Sequence, residues 1–237
     1  MSEKPILFNT EMVRAILDGR KTQTRRVIRF QEGTTGHLPP SGAKDYIYWP
    51  GGIKRAPYKP GDTLWVRETW KQYTTGTAGP GLIDGYLYKA NEPQDTSGMM
   101  VEDRWHPSIH MPKAAARIFL RVTGVRVERL QDIDEDGVCN EGAERIISGC
   151  EHMDYSCVPP EPCFNANPCK DCIINHGYPE LFGKMVWDRT IKLADLPRYG
   201  WNANPWVWVI SFKRIERDRL LRYADNDVMQ GGLMPAT

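Results

Sequence analysis

Residues 117–129 constrain the fold more than any other stretch. Ile118, Leu120 and Val122 alternate with polar neighbours, and Val125 and Val127 resume the alternation after a slip at Gly124. A period of two over this length predicts a long strand with one buried face, and the slip predicts a bulge. A second strand, Trp206 to Phe212, is apolar nearly throughout and follows the turn signal Asn204-Pro205. Lys59-Pro60-Gly61-Asp62 launches a third, Thr63 to Trp70, and Tyr86 to Tyr88 forms a short fourth. Helices are fewer. Thr10 serves as the N-cap of a helix whose apolar residues Met12, Val13, Ile16 and Leu17 share one face, with Gly19 as its stop. Asp132 to Glu144 reads as an acidic helix, and Leu181 to Ile191 resumes helical character. Strands interrupted by a few helices predict an α+β protein built on a small barrel.

At 237 residues the chain is long enough for one large domain with insertions. We expect it to span residues 1–213, with insertions near 31–58, 73–105 and 145–200 and a charged tail over 214–237. The first insertion reads as a loop, because glycine, proline and aromatics dominate it. The net charge of +1 offers no global basic field, which argues against non-specific nucleic-acid binding driven by net charge. Locally the balance differs: residues 1–30 hold seven Lys or Arg, and residues 128–154 hold nine Asp or Glu. No apolar run approaches the roughly 20 residues of a membrane helix, and Lys4-Pro5 and Asn9 interrupt the only candidate signal segment. The expected location is cytoplasmic, with reduced cysteines and no membrane partner.

Two stretches carry chemistry. Gly19 to Arg26 packs four cations and three hydroxyl- or amide-bearing residues directly after a helix stop. This loop suits either an anionic ligand or a nucleophile that needs a nearby amine. The other is Cys150, Cys157, Cys163, Cys169 and Cys172, within a proline-rich segment (148–177) that lacks apolar periodicity. Only Cys169-x-x-Cys172 has knuckle spacing. A structural zinc on four of these thiolates, or on three and a histidine, would order the segment; an unligated loop and redox chemistry are the alternatives.

Several further motifs follow one another in a specific order: Pro5-Ile6-Leu7-Phe8; Gly19-Arg20-Lys21-Thr22-Gln23-Thr24-Arg25-Arg26; Pro60-Gly61-Asp62 with Trp65-Val66-Arg67-Glu68; Ile109-His110-Met111-Pro112 leading to Arg117; Val127 to Ile133 with Glu141-Gly142; and Asn204 to Val209. In this order they resemble the ASCH domain, a relative of the PUA barrel, and most closely its prophage-encoded branch. The resemblance implies a PUA-like β-barrel with flanking helices and long insertions, a cleft beside the first helix, and association with RNA or modified nucleosides. One branch of the family is an amidohydrolase that removes the acetyl group of N4-acetylcytidine. It looks like it uses a lysine, a threonine three residues later, and a glutamate on the helix after the long strand. The matching positions here are Lys21, Thr24 and Glu141. This chain is longer than that branch, and Gly137-Val138-Cys139 replaces a more helix-friendly stretch.

In that reading Lys21 takes the proton of the Thr24 hydroxyl, and Glu141 orients the amine or delivers a proton to the leaving nitrogen. Lysine acts so only with a lowered pKa, towards which neighbouring arginines and burial both push. Arg20, Arg25, Arg26 and Arg67 would contact substrate, Trp65 would stack a base, and Glu68 and His110 would face the pocket. The plainer alternatives are that Lys21 and the arginines bind phosphate or sit on the surface. Likewise Trp65 is core, Arg67 and Glu68 pair with each other, and His110 is structural. At the level of the protein, the alternatives are a non-catalytic module for RNA, or less readily DNA, and a phage accessory protein that binds a host protein.

Overall fold

The computed structural model describes residues 2–75, 85–143 and 179–216. The cysteine-rich segment lies outside the described residues, and so do most of the C-terminal tail and part of the second insertion. The chain divides into two compact units. One comprises Met1–Arg14, Asp62–Arg121 and Lys213–Thr237, and the other Ala15–Gly61 and Val122–Phe212.

The fold is α+β, and its main sheet is mostly antiparallel. Its strands are β1 (Glu3–Leu7), β2 (Gln23–Val27), β5 (Thr63–Arg67), β9 (Phe119–Arg129) and β10 (Trp206–Ile215), hydrogen-bonded in the order β1-β5-β9-β10-β2. β1 runs parallel to β5, which opposes β9, while β2 opposes β10 with Thr24 across from Ile210. The slip at Gly124 shows as a change of phase. Leu120 and Val122 are buried before it, and Val127 is the next fully buried residue.

In the first unit, β6 (Trp70–Thr74) pairs with β7 (Gly85–Tyr88) and β8 (Met100–Val101). Trp70, Met111, Ala115, Ala116 and Phe119 form its buried cluster. The predicted strand Thr63 to Trp70 is therefore two, because the chain breaks at Glu68-Thr69.

In the second unit, the first insertion is not simply a loop. β3 (Tyr46–Trp49) and β4 (Gly52–Arg55) make a two-stranded hairpin around Pro50-Gly51, and Ile47 is fully buried. α1 (Thr10–Leu17), whose residues are divided between the first unit (to Arg14) and the second (from Ala15), begins one residue earlier than expected, since the Asn9 side chain accepts from the Met12 amide at 2.9 Å and is the cap in place of Thr10. Gly19, at φ +77, ends it as expected. The acidic helix is shorter than its composition suggests: α2 covers Glu135–Asn140 only. Asp134 caps it through the Gly137 amide, and Gly142, at φ +73, follows immediately after the cap residue Glu141. Residues Phe182–Trp187 form a π-helical turn, and α3 (Leu196–Tyr199) follows. Leu130, Val138, Leu181, Phe182, Trp201 and Val209 belong to one buried cluster, which anchors both ends of α2. Among the described residues no helix is long and apolar enough to cross a membrane.

Candidate functional site

The site starts from a backbone splice. Beyond Gly19 the chain turns back, the Lys21 amide donates to Ala15 O at 3.0 Å, and Lys21 and Glu141 form an isolated antiparallel bridge. On either side, the Thr22 amide donates to Asn140 O at 2.8 Å and Arg20 Nη1 donates to Gly142 O at 2.9 Å. Two glycines permit this approach. A Cβ on Gly142 would stand 2.7 Å from Ala15 Cβ and 3.1 Å from Lys21 Cβ, at a φ that side chains rarely adopt. A Cβ on Gly137 would stand 3.0 Å from Arg25 Nη2. The residue that weakens α2 as a helix is the one that lets an arginine lie against it.

Side chains complete the cluster. Lys21 Nζ donates to Glu141 Oε2 at 2.5 Å and to Glu141 O at 3.0 Å, and neither side chain is more than 5% exposed. Arg25 Nη1 donates to Glu141 Oε1 at 3.1 Å, while its Nε and Nη2 reach Glu128 Oε1 at 3.0 and 2.8 Å. Arg126 Nε holds the other oxygen of Glu128 at 2.8 Å. Three cations thus share two carboxylates, and Arg26 interacts electrostatically with both Lys21 and Glu141.

Burial pushes the Lys21 pKa below its ordinary 10.5. The charge and hydrogen bond of Glu141 oppose the shift, whereas the positive charges of Arg26 and Arg25 add to it. Burial lowers Arg26 as well, against Glu141 and Tyr58, and raises the Tyr58 phenol against Arg26. An amine so placed deprotonates more readily than a surface lysine, and a carboxylate holds it in one orientation. That combination suits proton transfer.

The structure brings Lys21, Arg25 and Glu141 into direct contact. Thr24 is 1% exposed on β2. Strand alternation sets Thr24 and Arg26 on the opposite face of β2 from Gln23 and Arg25. Arg20 is held by Asp18 and Gly142 O, and it clamps the splice.

The remaining expected site residues belong to the first unit. Arg67 does not pair with Glu68. Its guanidinium lies 5.5 Å from the Trp65 ring and donates to Ile109 O, and its buried Nε has no hydrogen-bond partner. Glu68, 1% exposed, takes a bidentate pair of hydrogen bonds from Arg117, both at 2.9 Å. His110 is exposed in a 3-10 turn, Ser108–His110. Cys150, Cys157, Cys163, Cys169 and Cys172 fall outside the described residues. Among those described, no group of three or more His, Cys, Asp or Glu could hold a metal ion.

Sequence reasoning missed Glu128, Arg126 and Arg117. The available signal was charge inside a strand: Arg126 and Glu128 flank the fully buried Val127, and such charges need partners.

No protein-family model matches the chain, and no curated protein or solved structure matches it.

Proposed function

We propose that the second unit is a hydrolase site of the ASCH type, acting on the amide of an acylated nucleobase such as an N4-acylated cytosine, within a PUA-like fold. The observation that supports it is the buried contact of Lys21 with Glu141, 120 positions apart in the chain, with the lysine pKa lowered. In this reading the neutral Lys21 amine takes the Thr24 hydroxyl proton as Oγ1 bonds to the acyl carbon. The C–N4 bond then breaks, the proton passes to the departing nitrogen from Lys21 or by way of Glu141, and water hydrolyses the acyl-threonine. Arg26 remains the proposed substrate contact of this unit, whereas Trp65, Arg67 and His110 belong to the first unit and take no part in this reading. Arg20 and Arg25 are already engaged by partners of their own, so their proposed part is to hold the loop and Glu141 in place.

The non-catalytic alternative asks Lys21 and Arg25 to bind phosphate. Their hydrogen bonds to carboxylates count against it, since a phosphate would have to displace Glu141 and Glu128. The test is mass spectrometry of N4-acetylcytidine incubated with the protein. The expected result is release of cytidine, with turnover lost in Lys21→Arg, whose guanidinium does not deprotonate. Turnover retained in that variant would end the proposal. A structural zinc on the cysteine-rich segment is part of the same reading; metal analysis of untagged protein should find about one equivalent, and less than half would remove it.

A further inference from the structure

A cavity of about 110 Å³ opens in the second unit, among the end of β9, the loop that precedes β3 and the segment that enters β10. Arg129 and Arg198 line it together with Thr35, Ile28, Pro205 and Trp206. None of these residues belongs to the Lys21 cluster. An engineered apolar cavity of about 150 Å³ holds one benzene. A ligand enclosed here is therefore smaller than that ring.

Two positive side chains share this small space with no negative one. Among the described residues no Asp or Glu lines the cavity, and neither guanidinium has a carboxylate partner. By contrast, Arg20, Arg25 and Arg126 each hold a carboxylate oxygen at 2.8 or 2.9 Å. Arg129 and Arg198 each give one N–H to a backbone carbonyl instead. Arg129 Nη1 donates to Asn204 O at 3.0 Å, and Arg198 Nη2 donates to Phe30 O at 2.7 Å. Both forks are thereby oriented, and most of their five N–H donors stay open.

The walls are fixed as well. Asn204, at φ +44, is the one non-glycine residue in the left-handed region among those described, and its side chain accepts from the Gln131 amide at 2.9 Å. The Trp206 indole donates to Gly36 O at 2.8 Å, which ties residues 34–36 to β10, and Thr34 Oγ1 donates to Gln31 O at 2.7 Å. The Thr35 hydroxyl, with no partner among the described residues, adds a further donor. Guanidinium forks bind carboxylates and phosphates alike, and the rest of the lining separates the two. Ile28, Pro205 and Trp206 present carbon. A carboxylate with a short aliphatic tail covers that surface, whereas a phosphate has only oxygens to set against it.

We propose that this cavity binds a small aliphatic carboxylate, its oxygens held by Arg129 and Arg198 and its carbon tail set against Ile28, Pro205 and Trp206. The site shares no residue with the Lys21–Glu141 cluster, so it stands or falls apart from the hydrolase reading.

A heteronuclear NMR titration of the isotope-labelled full chain with sodium butyrate, at constant ionic strength, tests it. The readout is the Trp206 indole N–H resonance, which Trp206→Phe identifies. For a ligand of this size a Kd of about 1 mM is expected. Arg198→Gln should weaken binding roughly tenfold, the usual weight of a hydrogen bond to a charged group. Ala203→Leu, which fills the cavity from its lining, should abolish binding. Butyramide, the neutral counterpart, and inorganic phosphate should each bind roughly tenfold more weakly than butyrate. Circular dichroism should report an intact fold in both variants, and turnover of N4-acetylcytidine should be unchanged in Arg198→Gln. No saturable shift by about 50 mM butyrate, or unchanged affinity in Arg198→Gln, overturns the proposal. Butyramide binding as tightly overturns the anionic ligand, and phosphate binding as tightly overturns the carboxylate.

Discussion

Glu68 in the first unit and Glu141 in the second are both buried carboxylates that bind arginine, yet their surroundings differ in kind. Glu68 meets Arg117 through two parallel hydrogen bonds. The same guanidinium is covered by the Tyr88 ring at 3.9 Å and reaches Asn91 Oδ1 at 3.0 Å. One anion, one cation and a neutral partner close on themselves. Glu141 instead divides its oxygens between Arg25 and a lysine, and the cluster around it carries more positive than negative groups. A closed bidentate pair holds two segments together. An overcharged cluster around a buried lysine favours that lysine's neutral form more than a surface site does. The difference separates a structural ion pair from a candidate reactive one by composition and stoichiometry, before any substrate is considered.

The largest effect expected from this contrast is on turnover. Lys21→Arg should cut hydrolysis of N4-acetylcytidine by about 10²–10⁴-fold, the usual contribution of a general base. Arg117→Lys should leave it within a few-fold, as seen in steady-state rates by mass spectrometry. Equal losses in the two variants would erase the distinction.

Stability should show the reverse order. Arg117→Ala strands the Glu68 carboxylate and should cost about 3 kcal/mol in urea unfolding. Gly142→Ala should cost roughly 2 kcal/mol, because it strains a positive φ and drives a methyl against Ala15 and Lys21. It should also lower turnover, since the Lys21–Glu141 splice must open to admit it. A fully active Gly142→Ala protein would show that the splice does not set the geometry.

The smallest effect is one of pH. Because the folded pKa of Lys21 lies below 10.5, the unfolded chain binds more protons there between the lowered value and 10.5. The cost of burying the charged lysine is present in full below the folded pKa. It is relieved as pH rises towards 10.5, so stability gains with pH in that window. Unfolding of wild type against Lys21→Met over alkaline pH reads this difference. It should move in favour of wild type as pH rises, and a flat or opposite trend would contradict the shift.

Much of the frame was legible in the chain. Alternation marked β9, the apolar run after Asn204-Pro205 marked β10, and Gly19 marked the end of α1, because burial period and glycine's access to positive φ are local properties. The β3–β4 hairpin was not legible. Tyr46 to Trp49 is too short to outweigh the proline and glycine around it, and it is held by tertiary contacts: the burial of Ile47, the cross-strand pairs and the backbone bridge of Tyr48 to His37. Helix α2 was overestimated for a similar reason. Acidic residues over 132–144 favour a helix start, but Gly142 is needed where the backbone meets Lys21.

The sequence by itself determined which residue types are available: a lysine and arginines after a helix stop, a glutamate beside a glycine, and aromatics scattered among cations. Only the tertiary structure decided which of them share a site. It paired Glu68 with Arg117 instead of Arg67, added Glu128 and Arg126 to the Lys21 cluster, and left Arg129 and Arg198 without a carboxylate partner among the described residues. The physical reason is that desolvation and charge pairing act over a few ångströms in space between residues some hundred positions apart in the chain. Local propensity carries no record of that distance.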